Sequence, residues 1–209
     1  MNKLIYSLVL VLGYFSSNAQ NSNSDKILED TRDGNQYEII KIQNLWWMNE
    51  NLNYSMSDAY CYNNISTNCE THGRLYSFDD ALEACPADWR LPSEKEFEQL
   101  MRFIEGKKWD GHRKFNISGN WEDWKKGNNK AGLKIFPSGL KHKKKFKTLG
   151  ESANFWVFQP DKVREASHIH INLEEKNEPK HLISFWHNHE IHNPIKNKRL
   201  FSIRCVKSD

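Results

Sequence analysis

Four cysteines constrain this 209-residue chain more than any other feature: Cys61, Cys69, Cys85 and Cys205. An even set of four can pair in three ways. Cys61 and Cys69 flank the polar run 62–68, which would close on itself if they pair. Cys85 and Cys205 would then tie an early segment to the end of the chain. On the chain-entropy model the long loop is worth roughly 4–5 kcal/mol and the short one roughly 2.5–3 kcal/mol. The spacing does not suit zinc, because no C-x-x-C pair is present. The N-terminus explains why disulfides are expected. Lys3 is followed by an apolar run over 4–15 and by the small-x-small sequence Ser17-Asn18-Ala19. Residues 1–19 therefore read as a cleaved secretory signal peptide. The apolar run is too short to span a bilayer comfortably. The expected location is secreted or periplasmic, where disulfides form and persist.

Residues 20–29, rich in Asn and Ser, read as a flexible leader, and residues 30–209 as one domain. Charged residues make up 27% of the chain, yet aromatics reach 12%, which argues against wholesale disorder. Asp33-Gly34-Asn35 signals a turn, and Tyr37, Ile39 and Ile42 a strand with partial alternation. Residues 60–73 read as a polar loop. Phe78, Ala81, Leu82 and Ala84 are spaced as a helix, with Asp79 and Asp80 at its positive end and Pro86 to stop it. Ser93 and Glu96 form a capping box for a second helix, whose apolar stripe is Phe97, Leu100, Met101 and Ile104. Residues 105–150 read as a long irregular loop region. Short strands are expected at 153–158, 168–173, 182–186 and 201–206. The fold class is α+β, with two early helices, short antiparallel strands and the two termini paired in one sheet.

The order and spacing of several motifs resemble the Fibrobacter succinogenes major paralogous (FISUMP) domain, a family of exported bacterial proteins. The most specific block is Cys61-Tyr62-Asn63-Asn64, Gly73-Arg74-Leu75-Tyr76 and Cys85-Pro86-Ala87-Asp88-Trp89-Arg90-Leu91-Pro92-Ser93. Gly132-Leu133, Pro137-Ser138-Gly139, Gly150, Phe155-Trp156 and the closing Phe201-Ser202-Ile203-Arg204-Cys205-Val206-Lys207 also fit. The resemblance runs from about Asp30 to the end. It implies a C-type-lectin-like single domain, similar also to formylglycine-generating enzymes, in which the chain ends pair and a disulfide joins the first helix to the last strand. Cys85 and Cys205 fit that bond. The family brings no established catalytic residues. The chain departs from the family pattern at Val157-Phe158-Gln159-Pro160-Asp161 and at Leu200, so any shared surface function does not carry over automatically.

Three candidate sites stand out. Residues 101–150 hold 14 Lys plus Arg against 4 Asp plus Glu, a net of +10 in a chain of net +3. That separation favours a polyanion. Lys141, Lys143, Lys144, Lys145 and Lys147 form the densest run, with Trp121 and Trp124 as candidate stacking surfaces for sugar rings. Against it stands the bland reading of a solvated charged face over core tryptophans. A second candidate is metal: His168 and His170 share one strand face, as would His187 and His189, and two such pairs together would suit zinc or copper. A third is calcium at Gln159-Pro160-Asp161, which looks like a galactose-type lectin triplet, though His187 takes the place of an oxygen donor in the second segment. No G-x-S-x-G, H-E-x-x-H or P-loop motif is present, so no enzyme is expected. Nor does a nucleic-acid motif appear. The sequence thus reads as a non-catalytic binding domain without a cofactor, whose partner is an acidic polysaccharide or an envelope protein.

Overall fold

The computed structural model describes residues 26–105, 114–118, 121–127, 129–162, 166–174, 180–186 and 198–209. The expected signal peptide lies outside these residues. Of the expected flexible leader, Lys26–Glu29 forms a strand paired antiparallel with the next one, from Lys26 opposite Ile39 to Glu29 opposite Gln36. The ordered domain thus begins before Asp30. The YEIIKIQNLWW stretch is a hairpin rather than one strand: Gln36–Ile42 and Leu45–Met48 pair across a turn at Gln43, which has a left-handed φ of +56°. Val206–Ser208 joins the other side of Leu45–Met48, so the two ends of the described chain lie in one four-stranded sheet.

A second four-stranded antiparallel sheet forms the centre, in the order Lys114–Ser118, Lys180–Trp186, Ser167–Glu174, Ser152–Val157. Period-2 alternation sends Ala153, Phe155, Val157, Ile169 and Ile171 to one face. There they pack with Phe97, Leu100, Met101 and Ile104 of the helix Glu94–Glu105 and with Trp47 and Trp124. The other face carries Asn154, Trp156, His168 and His170, and Trp156 and His168 meet Phe201 at ring-centroid distances of 4.6 and 4.4 Å. This sheet is therefore covered on both faces in the Ser152–Val157 region.

The helix signals hold. Ser77 caps Phe78–Glu83 by accepting a hydrogen bond from the Asp80 backbone N–H at 3.1 Å, and the helix ends before Pro86. Ser93 Oγ accepts from the Glu96 N–H at 3.3 Å while Glu96 Oε2 accepts from the Ser93 N–H at 2.7 Å, a reciprocal capping box. Two segments differ from the sequence reading. The polar loop at 60–73 contains a helix, Ser66–His72, closed by a Cys61–Cys69 disulfide. The region 105–150 holds Lys114–Ser118, the short helix Trp121–Lys125 and a hairpin of Leu140–His142 with Lys145–Lys147. Weak periodicity concealed all four elements because each is only three to five residues long.

The second disulfide joins Cys85, just past the helix Phe78–Glu83, to Cys205. Both pairs fit an oxidising compartment. Among the described residues no helix is long and apolar enough to cross a membrane.

The turn that opens the domain is held electrostatically. Asp30, only 1% exposed, accepts from Arg32 Nε at 2.8 Å and from Arg32 Nη2 at 2.6 Å. Arg32 also donates from Nη2 to the Ala84 carbonyl at 2.7 Å, which ties the turn to the C-terminal end of the helix Phe78–Glu83. The Arg32 guanidinium holds the Asp30 carboxyl below its ordinary 3.8, with burial opposing it.

Two predictions follow from this frame. Because the Asp30 pKa is depressed on folding, its stabilisation is complete above the ordinary carboxylate range and is lost as pH falls through the folded value. Asp30→Asn should cost about 1–3 kcal/mol at pH 7, and urea midpoints of variant and parent should converge as pH drops below about 4. Replacing Cys85 and Cys205 together with Ser should cost about 4–5 kcal/mol, against about 2.5 kcal/mol for Cys61 and Cys69. Thermal unfolding of the two double variants should rank them in that order.

Candidate functional site

The lysine run folds into one small sheet. Leu140–His142 and Lys145–Lys147 form a hairpin with Lys143 and Lys144 at its tip, and Arg199–Leu200 adds a third strand beside Leu140–His142. Gly139 sets the approach. Its φ is +66°, and a Cβ there would come within 2.4 Å of the Lys147 carbonyl oxygen, so only glycine lets the two arms close. Lys143, Thr148 and Lys198 also have left-handed φ angles, of +56°, +59° and +49°. Such backbone is uncommon for residues with a side chain and costs roughly 1–2 kcal/mol each. Lys143 N–H donates to the Lys198 carbonyl at 3.0 Å, which locks the tip to the third strand.

The register decides which way each lysine points. Residues directly opposite in antiparallel strands share a face. Lys141 pairs with Phe146 and with Leu200, so these three face inward, over Tyr60 and Tyr62. The Lys141 ammonium lies 3.3 Å from the centre of the Tyr60 ring, a cation–π contact. Burial lowers the pKa of Lys141, and nearby Asp58 opposes the shift. Lys145 and Lys147 lie on the other face with His142 and Arg199. Burial, then the charges of Arg199, Lys147 and Lys143, lower the pKa of His142. The five lysines therefore do not make one flat patch. Four of them, Lys143, Lys144, Lys145 and Lys147, are exposed around the tip and outer face, and Lys141 is turned into a cleft.

That cleft has a volume of about 320 Å³. Lys141, Lys143, Lys198 and Arg199 line it together with Asp58, Tyr60 and Asp79. Among the described residues none of these cations or carboxylates closes an ion pair. Lys198 and Arg199 double the number of cations that line the cleft, yet they lie more than fifty positions beyond the hairpin. Their adjacency in sequence is visible; their place beside Lys141 and His142 depends on the third strand.

The other candidates are placed differently. Trp124 is 1% exposed and packed in the core, so it offers no stacking surface. Trp121 begins the same short helix, and only its backbone is described. Tyr60 takes the aromatic place by the lysines. His168 and His170 do share a face, but His168 is 3% exposed between Trp156 and Phe201, and His170 Nδ1 contacts Asn154 Oδ1. His187 and His189 lie outside the described residues, and among those described no group of three His, Cys, Asp or Glu is arranged to hold a metal. Gln159 donates to Glu94 Oε2 at 2.9 Å and Asp161 is exposed in a 3-10 turn. The second segment of the expected calcium site, at 186–188, is described only in the backbone of Trp186. A larger cavity of about 630 Å³ lies between the 43–45 turn and the helix Glu94–Glu105, lined by Trp47, Leu100 and Phe103. It holds none of the sequence candidates.

Among known protein families, the model of the Fibrobacter succinogenes major domain matches residues 40–207. No curated protein and no solved structure matches the chain.

The burial of Trp124 carries its own prediction. Trp124→Ala should cost about 3–5 kcal/mol of stability, the range for a large core aromatic. Chemical denaturation measures it; a surface stacking residue would leave the midpoint unchanged.

Proposed function

We propose a binding role for this chain, which belongs to the Fibrobacter succinogenes major domain family. In this reading it is an exported, non-catalytic domain of C-type-lectin-like type that holds an acidic glycan of the envelope or extracellular space. The observation that carries the reading is the basic three-stranded sheet. Six cationic side chains, Lys143, Lys144, Lys145, Lys147, Lys198 and Arg199, surround one hairpin with no ion pair among the described residues. A surface of one sign without internal neutralisation focuses potential and draws a polyanion. Backbone strain gathered at the same sheet is a further support, since costly φ angles persist chiefly where a site needs them. The lectin-like assignment is supported by the pairing of the chain ends and by the Cys85–Cys205 bond near the last strand. Export is supported by the leader composition and by both disulfides.

Binding should weaken as salt rises, because exposed charges are screened over about 8 Å at 0.15 M. Changing Lys143, Lys144, Lys145 and Lys147 to Glu should lower affinity for an acidic polysaccharide about a hundredfold, some 3 kcal/mol over four exposed pairs. The fold should stay intact, because all four side chains are exposed. Titration calorimetry on parent and variant measures the loss, with circular dichroism to check folding. Unchanged affinity, or recovery of only an envelope protein in place of any glycan, overturns the glycan reading in favour of a protein-interaction module.

A further inference from the structure

The cleft beside the hairpin differs from the rest of the basic surface, because it carries both signs of charge. Lys141 and Lys143 line it together with Asp58 and Asp79, and none of the four is spent in an ion pair among the described residues. We propose that this cleft seats a single uronate unit, with its carboxylate on Lys141 and Lys143 and its ring hydroxyls on Asp58 and Asp79. The inference rests on the glycan-binding reading and narrows it to carboxylated sugars.

The two signs of charge in the lining are what select the ligand. An ionised carboxylate accepts hydrogen bonds and donates none. A sugar ring offers hydroxyl donors along its edge, which Asp58 and Asp79 accept. A sulfated unit places further negative charge where those hydroxyls would be, against two carboxylates. The acidic groups are built in rather than incidental. Asp79 stands in the first turn of the helix Phe78–Glu83, and Asp58 is held through its own N–H, which donates to Asp80 Oδ2 at 2.8 Å.

The cations are also positioned in advance. The Tyr60 ring holds the Lys141 ammonium at 3.3 Å, so little side-chain freedom remains to be lost on binding. Lys143 is held at the tip by its own N–H, which donates to the Lys198 carbonyl at 3.0 Å. A volume of about 320 Å³ sits at the lower end of small-ligand sites, about 300–1,000 Å³. One ring fits that size, and the remaining units of a chain would run over the exposed lysines at the tip.

The test compares three probes on the purified protein: oligogalacturonate, dextran sulfate and neutral dextran of similar length. Asp58→Ala combined with Asp79→Ala should weaken oligogalacturonate about tenfold, through lost hydrogen bonds to charged acceptors. The same variant should strengthen dextran sulfate, because repulsion at the cleft is removed. Tyr60→Ala should weaken oligogalacturonate, since the Tyr60 ring holds Lys141. Affinities for the two anionic probes that move together in the double-Asp variant overturn the uronate seat and leave the basic-patch reading standing. A parent that binds neither anionic probe overturns both. Tighter binding of a free amino acid than of galacturonate assigns the two-signed cleft to zwitterions and overturns the proposal.

Discussion

Residues 201–206 hold this fold together. Each of their six side chains is buried, and their backbone bonds to a different neighbour at nearly every step. Phe201 pairs with Tyr76, Ser202 exchanges bonds with Asn154 and Trp156, and Ile203 accepts from Leu52. Cys205 accepts from Met48, and Val206 pairs with Arg90. The Cys85–Cys205 bond then fastens the segment to the end of a helix. Arg204 sits inside this crossing, with its guanidinium fully enclosed. Its Nε donates to Asn51 Oδ1 at 2.8 Å and its Nη1 to the Met48 carbonyl at 3.3 Å, and burial pushes its pKa down to about 9. The charge of Glu50 opposes that shift, but Arg204 closes no ion pair among the described residues, and a buried charge without one is costly. Its geometry makes it a clamp that orders residues 48–51 against the last segment.

The same crossing builds the candidate site. Arg199–Leu200 leads directly into residue 201, so fixing Phe201 fixes the third strand of the basic sheet. That strand pairs with Leu140–His142 and sets the register of the hairpin. At the other end, Asn154 Nδ2 donates to the Gly139 carbonyl at 3.0 Å from within the central sheet. The hairpin is thus anchored at both ends to buried structure, which is how a site on a short loop keeps its geometry. Its charges are exposed, but their support is not.

What could be read from the sequence follows from how local each signal is. The capping box at Ser93 and Glu96 needs only four residues, and it stands as read. Spacing and the family resemblance together point to the Cys61–Cys69 and Cys85–Cys205 pairs, and both are present. Alternation places His168 and His170 on one face, but not whether that face is dry; Phe201, more than thirty residues away, covers it. Trp124 stands between charged neighbours in a helix of five residues, so nothing local marks it as core. Residues 201–206 have the composition of a strand, yet they change partners at each step, and only Val206–Ser208 is a regular strand there. Within the lysine run, one side chain turns inward because of pairing with Leu200, a contact across about sixty residues.

The central claim is that an anionic glycan lands on this one anchored sheet and its cleft. Hydrogen–deuterium exchange along the chain, with and without oligogalacturonate, tests it most directly. The account predicts added protection confined to 58–60, 140–147 and 198–200, with the rest of the chain unchanged. Protection appearing instead at residues 93–98 and 159–161, or none at the basic sheet while the glycan is bound, would contradict it.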